Sequence, residues 1–242
     1  MKLAKNITRI SVKSMVSACA LALVLGLTSQ QAAALGSTTY SFYGISNPSN
    51  PTNKADGEAN LQVQVIELTN PNQVQFKFTN NSTSSLTDVY FDDGSLLGIS
   101  SIFDSGAGVS FSQGAAPPIL PGYNNANPPF AVTAGFSADS NAPTAANGVT
   151  AGEWLAIDFN LINGKTYNDV LLALTLPNNG LGPNDLRIGV HVQSFASGGG
   201  SESFINVEGA VSPVPEADAW AMMVAGLGLV GFMARRKRYE AA

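Results

Sequence analysis

Residues 61–78 read Leu-Gln-Val-Gln-Val-Ile-Glu-Leu-Thr-Asn-Pro-Asn-Gln-Val-Gln-Phe-Lys-Phe, and this stretch decides the fold class. Apolar and polar side chains alternate on both sides of a turn at Asn70-Pro71-Asn72, which is the pattern of an antiparallel hairpin with one buried face. The same alternation returns at residues 155–161 and 186–192. The sequence therefore predicts a protein built mainly of antiparallel strands.

Shorter apolar runs extend this pattern along the chain. They lie at residues 40–45, 86–91, 131–136 and 204–207, and segments rich in Gly, Asn, Pro and Ser separate them. About eight short strands with such connections are typical of an antiparallel β-sandwich, of jelly-roll or immunoglobulin-like type.

Three segments break the strand pattern. Thr166 and Asp169 have the spacing of a capping box before an apolar run, which predicts one short helix, with a fully buried strand as the alternative. The proline-rich residues 113–129 are predicted to form an irregular surface loop, because proline removes backbone donors. Residues 194–203 are predicted to form a second loop.

The N-terminus has the layout of a secretory signal peptide. Lys and Arg residues between positions 2 and 13 precede an uncharged apolar region at 15–27, and small residues follow at Ala32 and Ala34. We expect signal peptidase to cut after Ala34, so residues 1–34 are a signal helix. The remainder would then be exported by the general secretory route.

The C-terminus predicts a membrane segment. A linker at 210–218 contains Pro215 and Glu216, and the apolar run 219–234 follows. As a helix this run is about 24 Å long, somewhat less than the ~30 Å hydrocarbon layer. A basic cytoplasmic tail at 235–242 would keep the preceding domain, residues 35–209, outside the cytoplasm. The basic residues of that tail are Arg235, Arg236, Lys237 and Arg238.

Residues 213–238 resemble the PEP-CTERM sorting signal of Gram-negative bacteria. Pro215 and Glu216 match its first letters, Ala217 stands where the second proline is usual, and the apolar run and basic end follow in the same order. The resemblance implies processing by an exosortase at the inner membrane, in bacteria that produce extracellular polysaccharide. Residues 152–155, 163–170 and 186–193 also resemble stretches of uncharacterised exported proteins with this tail.

Charge and residue counts exclude several function classes. Residues 35–212 carry four Lys or Arg against fourteen Asp or Glu, a formal charge near −10, so nucleic acid is not an expected partner. The single cysteine, Cys19, lies in the signal peptide, so no disulfide is expected. The single histidine, His191, excludes a His-rich zinc site and is expected to be an exposed or partly packed strand residue.

Few residues suggest a binding site, and no catalytic residue or cofactor is predicted. Calcium prefers carboxylate oxygens, so an acidic cluster is a candidate calcium site with a solvated turn as the alternative: Asp88, Asp92, Asp93 and Asp104. Aromatic side chains with a polar atom can contact sugar rings, and the candidates are Trp154 and Tyr123. Carboxylates that could pair for glycoside hydrolysis are Glu153, Asp158 and Glu202.

The sequence therefore predicts a non-catalytic, exosortase-processed surface or extracellular-matrix protein associated with exopolysaccharide or biofilm. The alternatives are a carbohydrate-binding module or adhesin, a calcium-binding β-domain and a glycoside hydrolase. Expected partners are signal peptidase, exosortase, the inner membrane and exopolysaccharide.

Overall fold

The computed structural model describes residues 35–45, 50–106, 108–132, 136–175, 185–196, 199–207 and 226–227. Contacts divide the chain after Ala34, and these residues belong to the second unit, Leu35–Ala242. The predicted signal peptide and cleavage positions, the Pro215-Glu216 motif and the basic tail lie outside the described residues. Within the described ranges, no helix combines the length and the apolar character needed to cross a membrane.

Ten strands and two α-helices make up the described domain. They are β1 (Ser37–Gly44), α1 (Pro51–Asn60), β2 (Leu61–Glu67), β3 (Gln73–Asn80), β4 (Ser85–Asp92), β5 (Leu96–Asp104), β6 (Phe111–Gln113), β7 (Ser137–Ser140), β8 (Trp154–Leu161), α2 (Tyr167–Thr175), β9 (Arg187–Gln193) and β10 (Ser201–Asn206). Single 3₁₀ turns lie at Tyr123–Asn125 and Thr144–Ala146.

All the strand pairs are antiparallel, and the strands follow the order β5-β8-β3-β2-β1-β10-β9-β4-β7-β6. Strand β1 changes partner along its length: Thr39 pairs with Gln64 of β2, whereas Phe42 pairs with Asn206 of β10. The sheet therefore divides at β1 into a front half (β5, β8, β3, β2 and the start of β1) and a back half (the end of β1, β10, β9, β4, β7 and β6).

The two halves pack face to face over an aromatic core. Phe91 of β4 makes edge-on contacts with Phe76 of β3 and Phe159 of β8, with ring centroids 5.3 and 4.5 Å apart. All three rings are fully buried, and edge-to-face geometry at these distances is favourable beyond the area that it buries. The predicted mainly β, antiparallel fold is confirmed; its ten strands form one sheet that folds over on itself, where the sequence indicates a sandwich of about eight.

The hairpin at residues 61–78 is confirmed in register as well as in type. Val63 pairs with Phe78 and Val65 with Phe76, and all four side chains are fully buried. The helix predicted after Thr166 is also confirmed, as α2. The Thr166 amide and hydroxyl both donate to Asp169 Oδ2 at 2.8 Å, and these hydrogen bonds lower the pKa of Asp169.

Elsewhere the structure corrects the predicted elements. No described strand lies within residues 131–136; the strand begins one residue later, at Ser137. Helix α1 and strands β5 and β6 were not predicted. Helix α1 is polar and has no apolar period, but its start carries a signal, since Asn50 caps it and Pro51 occupies its first turn. It packs closely against β10 because Gly57 has no β-carbon; a β-carbon there would overlap the Phe204 ring.

Candidate functional site

The outward side of the back half, called here the back face, is covered by the chain itself. Residues 113–132, called here the strap, cross it and bury a small apolar cluster between strap and sheet: Ile45, Tyr90, Leu120, Ala126, Phe130 and Ile205. Gly189 of β9 permits this contact, because a β-carbon there would lie 2.8 Å from Leu120 and 3.0 Å from Phe130. The predicted surface loop is irregular, as expected, but part of it is core.

Arg187 holds one end of the strap. Its guanidinium donates to the carbonyl oxygens of Pro128 and Pro129 at 2.8 and 2.9 Å, and it forms an ion pair with Asp92. It also lies 5.2 Å from the centre of the Phe130 ring. Arg187 is only 2% exposed, so these contacts compensate the cost of burying its charge.

Strands β7 and β4 hold the other end. The amide of Ala115 donates to Ser137 Oγ at 3.0 Å, and the amide of Ala116 donates to Asp139 Oδ2 at 3.3 Å. The Tyr90 hydroxyl donates to the Pro117 carbonyl at 3.1 Å. Proline has no backbone N–H, so this segment cannot form a regular strand ladder. Side chains of the sheet instead donate to the carbonyl oxygens of Pro117, Pro128 and Pro129.

A chain of ionisable groups lies beside this attachment. His191 Nδ1 is 2.9 Å from Asp88 Oδ2, and Asp139 pairs with Asp88 across the neighbouring strands. Burial, the charge of Asp88 and a hydrogen bond to Asp88 raise the pKa of Asp139 to about 6. The expectation of an exposed or partly packed His191 is wrong, because the residue is only 8% exposed and its ring is bonded to Asp88.

The outward side of the front half, called here the front face, has the opposite character. Strands β2 and β3 alternate, so most of their apolar side chains point to the core and most of their polar side chains point outward; Ile66 is an apolar residue on the outward side. Strand pairing sets the outward residues in cross-strand rows. One row is Ser41, Gln62, Thr79 and Trp154; the next is Thr39, Gln64, Lys77, Ala156 and Phe103; the third is Ser37, Ile66, Gln75, Asp158 and Ser101.

Hydrogen bonds between neighbours fix the orientation of several amides on the front face. Gln64 Nε2 donates to Ser37 Oγ at 3.2 Å, and Gln75 Nε2 donates to Asp158 Oδ1 at 2.9 Å. Gln73 Nε2 donates to Asn160 Oδ1 at 2.9 Å. The amide planes are thus held by the sheet, while each glutamine keeps further hydrogen-bonding capacity toward solvent.

Aromatic rings lie at one side of this polar face. Trp154 is half-buried at the start of β8, and Phe103 of β5 is 47% exposed, one strand away. Lys77 Nζ is 4.9 Å from the centre of the Trp154 ring, a cation–π distance. Next to them is a depression of about 230 Å³, lined by Thr39, Gln62, Gln64, Lys77 and Thr79.

The structure does not bring the candidate calcium ligands together. Asp88 bonds to His191, Asp92 pairs with Arg187, and Asp104 Oδ1 accepts from the Gly106 amide at 3.0 Å. Asp93 has interactions of its own. Among the residues that the structure describes, no three His, Cys, Asp or Glu side chains are grouped to hold a metal ion.

The remaining candidates are also dispersed. Trp154 belongs to the front face, whereas Tyr123 lies in the strap and packs on the back-face cluster. Glu153 Oε2 accepts from the Thr150 amide at 2.8 Å, and Asp158 lies in the front half. Glu202 is 3% exposed in β10 of the back half.

Sequence reasoning missed the front-face amides and Phe103. The signal for the amides is the polar residues that alternate with the apolar ones at residues 61–78, since these must point away from the core. Phe103 lies in β5, whose pairing with β8 is interrupted by register shifts, so its outward direction could not be derived from periodicity.

Comparison with known proteins gives one match. Residues 213–238 match the PEP-CTERM protein-sorting motif. No curated protein and no solved structure matches the chain.

Proposed function

We propose that this exported, exosortase-processed protein is a non-catalytic component of the surface or extracellular matrix of a Gram-negative bacterium, associated with exopolysaccharide or biofilm. The observation that carries the proposal is the PEP-CTERM motif at residues 213–238, which directs the chain to the cell surface by way of the membrane. The acidic, cysteine-free domain before the motif is the part that would be delivered.

The route to the surface is part of the same proposal. Signal peptidase cuts after Ala34, the apolar run 219–234 holds the precursor in the inner membrane, and exosortase separates the domain from Arg235 and the residues that follow. The basic end stays on the cytoplasmic side, in accordance with the positive-inside tendency.

A passive role is supported by the state of the ionisable groups in the domain. The chain's only histidine is 8% exposed and is bonded to Asp88. Asp92 is engaged by Arg187. Arg187 and Asp92 hold the strap, and this structural role accounts for the burial of their charges without a reaction.

Intact-mass measurement of the surface form tests the route. We expect loss of residues 1–34 and of everything after about Pro215. Replacing Pro215 and Glu216 with alanine should leave an unprocessed membrane form, whereas Ser212→Ala, just outside the matched residues, serves as the control and should be processed normally. A mature species that still contains Arg235 to Arg238 would contradict processing, and a full-length cytoplasmic species would contradict export.

A second assay tests the absence of catalysis. The processed protein is incubated with polysaccharide extracted from the producing strain, and newly formed reducing ends are measured. We expect none above the level of heated protein. Release that disappears in Asp158→Asn or Glu153→Gln would establish a glycoside hydrolase instead.

A further inference from the structure

We propose that the front face binds an uncharged polysaccharide chain, with Trp154 and Phe103 against the sugar rings and the amides of Gln62 and Gln64 bonded to their hydroxyls. This inference rests on the proposed function in one respect, since the protein must reach a polysaccharide outside the cell. It adds the binding surface and the class of polymer.

The pairing of rings with amides is what a sugar requires. A pyranose has an apolar C–H face, which packs on an aromatic ring, and a rim of hydroxyls that both donate and accept hydrogen bonds. A glutamine amide supplies two donors and an acceptor, and a threonine hydroxyl supplies both. On the front face, Trp154 lies in the same cross-strand row as Gln62, and Phe103 in the same row as Gln64.

The rows also fit an extended polymer. Neighbouring strands are separated by about 4.8 Å, so a row from β5 to β1 spans about 19 Å. The depression lined by Thr39, Gln62 and Gln64 lies within this span, beside the rings. A chain laid across the strands would meet the aromatic end first and then hydroxyl and amide groups.

Charge selects an uncharged partner. Residues 35–212 hold fourteen acidic residues against four basic ones. Among the described side chains in the three cross-strand rows, only Lys77 and Asp158 are charged, and they have opposite signs. A polyanion would be repelled by the rest of the domain, and a polycation would find stronger sites outside the front face.

Preorganisation favours the front face over the back face. The bonds from Gln64 to Ser37 and from Gln75 to Asp158 already restrict those side chains, so binding would order few additional groups. The back face offers no equivalent, because the strap occupies it.

Affinity electrophoresis of the processed, surface-derived protein tests the inference. The gels contain hydroxyethyl cellulose, dextran, alginate or polysaccharide extracted from the producing strain. We expect retardation by at least one uncharged polymer and none by alginate. Trp154→Ala and Gln64→Ala should each weaken that retardation about tenfold. Gln113→Ala, which changes a glutamine at the edge of the back half, should behave as the parent.

Several outcomes would overturn the inference. These are no retardation by any polymer, preferential retardation by alginate, or retardation that persists in both Gln64→Ala and Trp154→Ala. If Trp154→Ala lowers the melting temperature, Trp154→Phe and Gln62→Ala carry the test, with an expected loss for Gln62→Ala and retention for Trp154→Phe. Failure of the proposed function is distinguishable, because it appears as a wrong mass or location of the protein before any gel is run.

Discussion

The front face and the back face belong to one sheet, but the protein finishes them differently. In the back half, β4 and β9 are buried on both sides almost throughout. The strap covers outward residues of these strands, among them Tyr90 and Gly189. On the front face, β2 and β3 bury only alternate residues and leave a polar surface in solvent. The polar residues of the two faces therefore have different roles: on the back face they bind a chain segment, and on the front face they remain accessible to a ligand.

The largest loss of stability is expected at Arg187, one of two cations that lie over aromatic rings; the other is Lys77. Arg187→Ala removes a buried charge, leaves Asp92 and two carbonyls unsatisfied, and should reduce the free energy of unfolding by about 3 kcal/mol. Lys77→Ala, the matched change on the front face, should cost less than about 1 kcal/mol. Urea unfolding followed by circular dichroism measures the free energy of unfolding of both variants. Equal losses would contradict a structural role confined to the back face.

A second pair of variants tests whether the strap is part of the core. Leu120 is fully buried beneath the strap, so Leu120→Ala should cost about 2 to 3 kcal/mol. The adjacent Ile119 is 48% exposed, and Ile119→Ala should change stability by less than about 0.5 kcal/mol. Limited proteolysis should cut the strap faster in Leu120→Ala alone. Similar behaviour of the two variants would mean that the strap is not packed.

A smaller effect is expected from Asp139, whose carboxyl helps to hold the strap. Its pKa is raised to about 6 in the folded protein, against 3.8 for the ordinary group. A raised pKa means that the folded state binds the proton more tightly, so this group's contribution to stability is greatest below about pH 4 and is lost as the pH rises through about 6. The groups that face Asp139 are Asp88, His191, the Tyr90 hydroxyl and the Ala116 amide.

Asp139→Asn removes this titration and keeps an acceptor for the Ala116 amide. The melting temperature of the variant minus that of the parent should therefore increase between about pH 4 and about pH 7. Thermal unfolding across this range measures the difference. A flat difference for Asp139→Asn would show that its carboxyl is not perturbed.

The smallest effects on stability are expected for the glutamines of the front face. Gln62→Ala and Gln64→Ala should each change the free energy of unfolding by less than about 0.5 kcal/mol, because their side chains support neither core nor strap. If either variant lowers the free energy of unfolding by more than about 1 kcal/mol, these glutamines are structural. A loss of polymer binding in that variant would then not show that the glutamine contacts the polymer.

For a physical reason, the sequence predicted β2, β3 and β8 of the front half better than it predicted what covers the back half. A strand with one wet face alternates, so residues 61–78 and 155–161 reported both their type and their buried side chains. The back half is buried on both sides, so alternation at β4 carries no information about what covers it. The burial of His191 was therefore not predicted, because its sequence neighbours do not reveal what packs on its side of the sheet.

The site was less predictable than the fold. Trp154 could be selected by its chemistry, but its neighbours on the front face are set by strand pairing over long separations, as between Thr79 and Trp154. The acidic residues between 88 and 104 looked like a cluster because they are close in sequence. In the structure Asp88, Asp92 and Asp104 have different partners, since neighbours in sequence diverge along extended strands.

The exchange of partners by β1 has a consequence for the order of events during export. Phe42 in the first strand pairs with Asn206 in the last, so the seam of the sheet joins the two ends of the domain. A chain that crosses the membrane N-terminus first cannot close this seam until residue 206 has emerged. The pairing of β1 with β10 would therefore form late, when the sorting motif is only a few residues behind.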